Sequence, residues 1–193
     1  MVLASNSPRR KELLSKIFSE DEFITIGSDI QEKILRGEDA ESYCLRIAEA
    51  KARDVIKKHE KKIGEAVIVI SADTVISLKK EIIGQPKNRN DAKEILEKLS
   101  GKRHEVITGV VVILIKEDCP IKFAVKSQVW MKKLSERRIL EYIESNEPMG
   151  KAGAYAIQGL GRKLIKKFQG SYPNIIGLPI EELQDTLSHI FSV

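Results

Sequence analysis

This chain of 193 residues contains few of the residues that build disulfide or zinc sites. It has two cysteines, Cys44 and Cys119, which form no C-x-x-C pair, and its three histidines are scattered along the sequence. We predict that both cysteines are reduced, buried thiols in a cytoplasmic protein. The longest apolar run, Val110 to Ile115, is far too short to cross a membrane. We therefore expect a soluble protein with no membrane partner.

Signals for nucleic-acid recognition are also weak. Aromatic residues make up 5% of the chain, and 33 Lys and Arg against 28 Asp and Glu give a net charge of only +5. No RNP box or helix-turn-helix accompanies the basic runs at 57–62 and 166–167, so we expect no specific nucleic-acid partner and interpret these runs as solvated faces. Nonspecific RNA or DNA binding stays an alternative, and strong salt dependence would reveal it.

What the chain does have is an alternation of apolar strands and amphipathic helices. This pattern predicts one α/β domain over residues 1–193, with a mixed sheet and helices on its faces. The expected strands lie at about 2–4, 23–26, 66–72, 105–116 and 121–131, with a β-hairpin near residues 76–83. One expected helix begins at Pro8, and the others lie at about 40–57, 92–99, 135–144 and 180–190. The run at 66–72 is apolar and β-branched, and we expect Asp73 to end that strand.

The segment from Ser5 to Arg10, Ser-Asn-Ser-Pro-Arg-Arg, follows the first strand directly. Ser7 suits the N-cap of a helix, and Pro8 suits its first position. Two guanidinium groups beside free backbone N–H groups form a candidate cradle for phosphate. An ordinary capped helix with two surface arginines is the alternative.

Three charged residues point to the same chemistry. Lys51 lies on the apolar stripe of the long helix, where it either binds an anion or extends past the stripe to water. Asp73, followed by Thr74, comes where open α/β sheets hold ligands, although an aspartate there can also cap a turn. Glu32 is either a second carboxylate or a surface residue. Two carboxylates facing a phosphate cradle would suit Mg²⁺.

Gln158 lies in a glycine-rich stretch near the carboxyl end of the chain, between Gly153 and Gly159. Glycine allows the backbone to approach a ligand closely. An amide can donate and accept hydrogen bonds together, which suits the edge of a nucleotide base. A glutamine bonded to the main chain of its own loop is the alternative.

Taken together, four motifs of this chain resemble those of the Maf family of nucleoside triphosphate pyrophosphatases, in the same order and with similar spacing. They are Ser5 to Arg10, Ser71 to Thr74, Lys151 to Gly159, and Gly170 to Pro179. The resemblance implies an elongated mixed sheet flanked by helices, with two lobes, a cleft and a relation to the inosine triphosphate pyrophosphatase fold. It leaves a homodimer open.

The resemblance also implies hydrolysis of a nucleoside triphosphate to the monophosphate and pyrophosphate with Mg²⁺ or Mn²⁺. Asp73 corresponds to the proton acceptor and, with Glu32, to the metal site. Arg9, Arg10 and Lys51 correspond to the phosphate site, whereas Arg9, Thr74 and Gln158 fall at positions tied to substrate choice. We expect Ser7 to belong to the same phosphate cradle. A glutamine at position 158 resembles the branch that hydrolyses dTTP and UTP, whereas a glutamate is typical of the branch that takes 7-methyl-GTP.

Two positions depart from the family pattern. Gln85 stands where a phosphate-binding lysine is expected, and we predict that Lys87 substitutes for it. Gly150 stands where an acid often precedes the Lys-Ala-Gly-Ala-Tyr run. A nucleotide-binding regulator of septation or cell division, without turnover, is the alternative function, but it would need the basic residues more than the carboxylates at 32 and 73.

Overall fold

A computed structural model, which describes residues 1–117 and 119–191, confirms the mixed α/β architecture. Within these residues, seven strands form one sheet in the order β2-β1-β3-β5-β6-β7, with β4 paired to β3. Strand β1 pairs in parallel with β2 and β3, and the other pairs are antiparallel. The strands are β1 (Val2–Leu3), β2 (Ile24–Thr25), β3 (Ile68–Leu78), β4 (Glu81–Ile83), β5 (Arg103–Leu114), β6 (Cys119–Met131) and β7 (Ile165–Gln169).

The helices begin at side-chain caps that the sequence supplies. Ser7, Asp39, Asn88 and Ser135 each accept a hydrogen bond from a backbone N–H in the first turn of the helix that follows. The helices are α1 (Pro8–Leu14), α2 (Ala40–Lys58), α3 (Glu60–Ile63), α4 (Arg89–Leu99), α5 (Glu136–Glu144), α6 (Tyr172–Ile176) and α7 (Ile180–Phe191). The sequence missed α3, α6, β7 and two 3₁₀ helices at Ala152–Ala154 and Gly159–Leu164, because such short elements show no clear periodicity.

Helix α2 packs directly against β3 and β5. Its predicted apolar stripe, which includes Cys44, Ile47 and Ala48, is buried. A Cβ atom at Gly109 of β5 would lie only 2.7 Å from the backbone of Cys44. Glycine at this position therefore lets the helix approach the strand, and it brings Lys51 toward the sheet.

Asp73 does not end its strand, so that prediction is wrong. It lies in the middle of β3, opposite Gly109 of β5, because the apolar alternation resumes after it and β5 pairs with β3 as far as Ser77. The other edge of β3 pairs with β1 only at Val69 and Ile70, and with β4 only from Ile76 onward. In the part of the chain that the structure describes, the edge between these two pairings has no strand partner, and Asp73 lies in this gap.

The two cysteines differ in environment. Cys44 is buried, and its Sγ–H donates to the carbonyl oxygen of Ile107 at 3.3 Å. Cys119 is exposed at the start of β6, so the prediction that it is buried is wrong. Its apolar neighbours in the sequence did not reveal that it lies at the end of a strand. Across residues 1–117 and 119–191, no helix combines the length and apolar character that a membrane span requires.

Candidate active site

The gap beside β3 opens into a cavity of about 460 Å³. The end of β1, the start of α1 and the middle of α2 meet the glycine-rich segment there. The residues that line it include most of those singled out in the sequence: Ser7, Arg9, Arg10, Glu32, Lys51, Asp73, Thr74 and Gln158. The fold thus brings the four candidate motifs to one place, although they are far apart in the sequence.

Lys51 lies between the two candidate carboxylates. Its Nζ is 2.6 Å from Oε1 of Glu32 and 2.6 Å from Oδ1 of Asp73. The side chains of Lys51 and Asp73 are only 13% and 7% exposed, so this ammonium does not extend past the apolar stripe to water. Burial raises the pKa of Asp73, whereas the positive charges of Lys51 and Arg10 oppose that rise.

The two arginines of the cradle are held differently. Ser7 caps α1 by accepting a 3.4 Å bond from the backbone N–H of Arg10. The Arg10 guanidinium donates from Nε to the carbonyl of Gly177 at 2.7 Å and from Nη2 to Oγ1 of Thr74 at 3.0 Å. Arg9 makes one long bond, 3.5 Å from Nη2 to the carbonyl of Gly150. Arg10 is therefore fixed by the protein, whereas Arg9 lines the cavity and, within residues 1–117 and 119–191, its other donors have no hydrogen-bond partner.

Behind Arg10 lies a chain of hydrogen bonds that the sequence analysis did not predict. Oγ1 of Thr74 lies 2.9 Å from Oγ1 of Thr108, which donates to the carbonyl of Asn174 at 3.1 Å. The Asn174 side chain is buried and donates to Oγ of Ser127 at 2.9 Å. The sequence signal for this chain of bonds would have been a polar residue, such as Thr108, in the middle of an apolar strand. This network joins Arg10 to the Gly170–Pro179 motif through the sheet.

The glycine-rich segment forms the opposite side of the cavity. The phenol oxygen of its Tyr155 lies 2.7 Å from Nε2 of the buried His104. Gln158 is half-buried, and within the described residues its side chain makes no hydrogen bond. It is therefore not tied to the main chain of its own loop, and its amide can bind a ligand.

Lys87 lies outside the cavity. It lines a separate cavity of about 270 Å³ with Glu94 and Lys98, and its backbone N–H donates to Oδ2 of Asp91 at 2.8 Å. Gln85 lines both cavities. The structure therefore brings Gln85, rather than Lys87, to the other predicted site residues.

The carboxylate oxygens near Lys51 suit a divalent cation that takes its remaining ligands from water and substrate. Among the described residues no group of three or more His, Cys, Asp or Glu residues could hold a metal. Glu32 and Asp73 nevertheless both pair with the ammonium of Lys51, so both carboxylates can present an oxygen to one bound ion. Mg²⁺ is commonly held by one or two carboxylates together with water and substrate phosphates. The residues fit such an ion once a phosphate completes its ligands.

Relatives match this chain over its whole length. The family described as "Maf-like protein" matches residues 1–190. Proteins named dTTP/UTP pyrophosphatase from Clostridioides difficile and Geotalea uraniireducens are each 42% identical over 193 residues, 100% of this chain and 96% of the relative. One from Alkaliphilus metalliredigens is 41% identical over 100% of this chain and 97% of the relative. A solved Vibrio cholerae protein is 13% identical, covering 76% of this chain and 69% of that chain at a TM-score of 0.34, which is too low to compare the folds.

Proposed function

Because the chain belongs to the Maf family, we propose that it hydrolyses dTTP and UTP to the nucleoside monophosphate and pyrophosphate. The observation that carries this proposal is the meeting of three features in one cavity of about 460 Å³: the basic cradle, the paired carboxylates and the free glutamine. These are the groups that a triphosphate, a water molecule and a base would each require. The two unpaired cysteines support a cytoplasmic location.

The triphosphate lies against Arg9, Arg10 and Lys51. Arg10 uses Nε and Nη2 for the protein, so Nη1 is left for a phosphate oxygen. Arg9 can offer a planar pair of N–H groups, which matches two oxygens of one phosphate. Charge moves onto pyrophosphate as it leaves, and these cations stabilise the transition state more than the bound substrate.

Asp73 accepts the proton of the attacking water. Its burial raises the pKa of the carboxyl group and makes the carboxylate a stronger base, while the positive charges of Lys51 and Arg10 oppose that rise. The water oxygen attacks phosphorus, its proton passes to Asp73, and the bond between the α- and β-phosphates breaks. Pyrophosphate takes the electron pair of that bond and leaves.

We further propose that Glu32 and Asp73 hold Mg²⁺ or Mn²⁺ together with the substrate phosphates. Such an ion would neutralise phosphate charge and lower the pKa of a bound water. The carboxylates are paired with Lys51 in this structure, so the ammonium must release at least one of them when the ion binds. The phosphates offer Lys51 an alternative anion in the same cavity.

Gln158 chooses the base. Uracil and thymine present an N3–H donor beside a carbonyl acceptor, and one amide can satisfy both. Cytosine presents an unprotonated N3 and an amino group in the same place, so an amide held in the orientation that suits uracil leaves a buried polar group unpaired at a cost of about 1 to 3 kcal/mol. A glutamate at 158 would instead favour a base that carries positive charge, such as 7-methylguanine.

The test is pyrophosphate release from dTTP, UTP, CTP, GTP and 7-methyl-GTP, with Mg²⁺ or Mn²⁺ and with EDTA. We expect the highest kcat/KM for dTTP and UTP, loss of turnover with EDTA, and a selective loss for these two nucleotides in Gln158→Glu. Gln169→Glu, a change at an exposed position of β7, is the matched control. Nucleotide binding without pyrophosphate release would contradict the proposal and favour the non-catalytic regulator.

A further inference from the structure

The Glu147 carboxylate, just beyond α5, receives three hydrogen bonds. Its Oε1 accepts from the backbone N–H of Gly161 at 2.9 Å and from the Tyr142 hydroxyl at 2.9 Å. Its Oε2 accepts from the backbone N–H of Leu160 at 3.0 Å. One side chain therefore holds two consecutive backbone groups that lie 13 and 14 residues further along the chain.

Tyr142 extends this contact to the other side of Gln158. Its ring is buried, and its oxygen accepts a 3.2 Å bond from the backbone N–H of Ala156. The tyrosine and Glu147 thus bind the main chain two residues before Gln158 and two and three residues after it. Among the described residues the Gln158 side chain itself makes no hydrogen bond, and it lines the cavity.

The space around this contact is filled. Gly159 has φ +63°, and a Cβ atom there would lie 2.7 Å from Oε2 of Glu147. A Cβ atom at Gly161 would lie 2.7 Å from the Tyr142 oxygen and 2.4 Å from the carbonyl of Ala156. The two glycines let the backbone fold closely around the carboxylate and the phenol, so the loop conformation depends on both groups.

Glu147 is ionised in this setting. Partial burial tends to raise its pKa, but the bonds from Gly161, Leu160 and Tyr142 outweigh burial and lower it. Hydrogen bonds to a charged acceptor are about twice as strong as neutral ones. The same negative charge favours the charged form of Arg9, so Glu147 acts on both sides of the cavity.

We propose that Glu147, acting with Tyr142, is a positioning residue that fixes the backbone around Gln158 and thereby sets the discrimination between bases. The proposal rests on the function proposed above, because it takes Gln158 as the group that contacts the base. A hydrogen-bonding site must be held to about 0.5 Å to select its ligand. The Glu147 carboxylate and the Tyr142 hydroxyl bind the loop from the side of α5, and they do so both before and after Gln158.

Glu147→Gln and Tyr142→Phe test the proposal. In Glu147→Gln the new NH₂ group faces a backbone N–H donor, so one bond becomes a repulsion. Tyr142→Phe removes only the hydroxyl and with it the contacts to Ala156 and Glu147. We expect the ratio of kcat/KM for UTP to that for CTP to fall about tenfold in each variant, and to stay at the wild-type value in the control Glu144→Gln, whose side chain is exposed.

A second measurement separates positioning from a general loss of structure. In a Gln158→Ala background, Glu147→Gln should change the UTP to CTP ratio no further, because both substitutions act through one side chain. If Glu147→Gln fails to fold by circular dichroism, Tyr142→Phe carries the same comparison.

The outcomes distinguish the two proposals. Wild-type protein that shows no preference for UTP over CTP contradicts the proposed function. A wild-type preference that persists in Glu147→Gln or, where that variant does not fold, in Tyr142→Phe overturns the positioning role. An equal loss of activity toward both nucleotides, with an unchanged ratio, also overturns it, because a merely structural role would give that result.

Discussion

The two sides of the cavity are built by different means. The phosphate wall, which we define as Arg10, Lys51 and Asp73, consists of buried charges on α1, α2 and β3. The loop wall, residues 149–158, has no regular structure beyond the 3₁₀ helix at Ala152–Ala154. It is held by Tyr142, which binds Ala156, by Glu147, which binds the backbone just after the wall, and by the neutral pair of His104 and Tyr155. The groups proposed to bind every triphosphate lie on a helix or a strand, and the group proposed to select the base lies on a loop.

This difference predicts two kinds of defect. Charges act on the phosphates that all nucleotides share, so changes in the phosphate wall should lower turnover for every substrate. Contacts in the loop wall are short-range and directional, so changes there should alter the ranking of substrates. A substitution in the phosphate wall that changed only the ranking would break the comparison.

Asp73→Asn should have the largest effect. The amide keeps the shape of the side chain but cannot accept the proton of the attacking water, so we expect kcat to fall about 10²-fold or more for dTTP and UTP alike. Nucleotide binding, measured by calorimetry, should persist. The control is Asp54→Asn, whose carboxylate pairs with Lys58. Near-wild-type turnover in a folded Asp73→Asn variant would show that Asp73 is not the proton acceptor.

Arg10 and Arg9 should separate by their effect on stability. Arg10→Ala leaves the carbonyl of Gly177 and the Thr74 hydroxyl without their donor, so we expect a loss of about 1 to 3 kcal/mol of stability as well as activity. Arg9→Ala should lower kcat/KM about tenfold for every nucleotide with little change in Tm, because its one protein bond is long.

Calorimetric Tm and steady-state kinetics check the two variants side by side. Arg10→Lys should recover only part of the activity. An ammonium lacks the planar guanidinium group, which can donate to the Gly177 carbonyl, the Thr74 hydroxyl and a phosphate together. Arg137→Ala, at a side chain 88% exposed on α5, is the control. Equal Tm losses in Arg9→Ala and Arg10→Ala would refute the distinction.

The sequence predicted the phosphate wall better than the loop wall. Lys51 and Asp73 lie on a long helix and a long strand, whose periodicity could be recognised without the structure. The end of that strand could not be recognised, because β3 continues beyond Asp73 through its pairing with β5. Glu147 showed no signal, since its partners are backbone N–H groups brought near only by the fold. Lys87 was predicted only from its position near Gln85. Helix α4 begins soon after it, and the backbone N–H of Lys87 binds Asp91 outside the cavity.

Lys51→Met tests the cation site of the phosphate wall. The ammonium lies 2.6 Å from both carboxylates, so it competes with any divalent cation that they hold. Without nucleotide, we expect Mn²⁺ to bind Lys51→Met about tenfold more tightly than wild type, or about 1.4 kcal/mol. Turnover should nevertheless fall, because a phosphate contact is lost.

Isothermal titration with Mn²⁺ measures this, and Lys58→Met, which removes an ammonium paired with Asp54 away from the cavity, is the control. Equal or weaker Mn²⁺ binding in Lys51→Met would argue that Glu32 and Asp73 do not hold the ion. Glu32 would then have no role beyond its pairing with Lys51, whereas the proposed role of Asp73 as proton acceptor would stand.

The smallest effect concerns the neutral anchor of the loop wall. His104 is 2% exposed, its Nδ1 has no partner among the described residues, and burial lowers its pKa from 6.5 to about 4. Between these values the unfolded chain binds a proton that the folded protein does not, so stability falls as the pH drops. From pH 7.5 to 5.5 we expect this histidine to cost about 1 kcal/mol.

His104→Gln can keep a bond to Tyr155 but does not titrate, so denaturant unfolding of this variant should depend less on pH over the same range. His189→Gln, at an exposed position of α7, should retain the wild-type dependence. A His104→Gln slope equal to that of wild type would show that the histidine takes up its proton in the folded protein as it does in the unfolded chain. The loop wall would then depend on buried charge as the phosphate wall does, and the contrast between the two sides would fail.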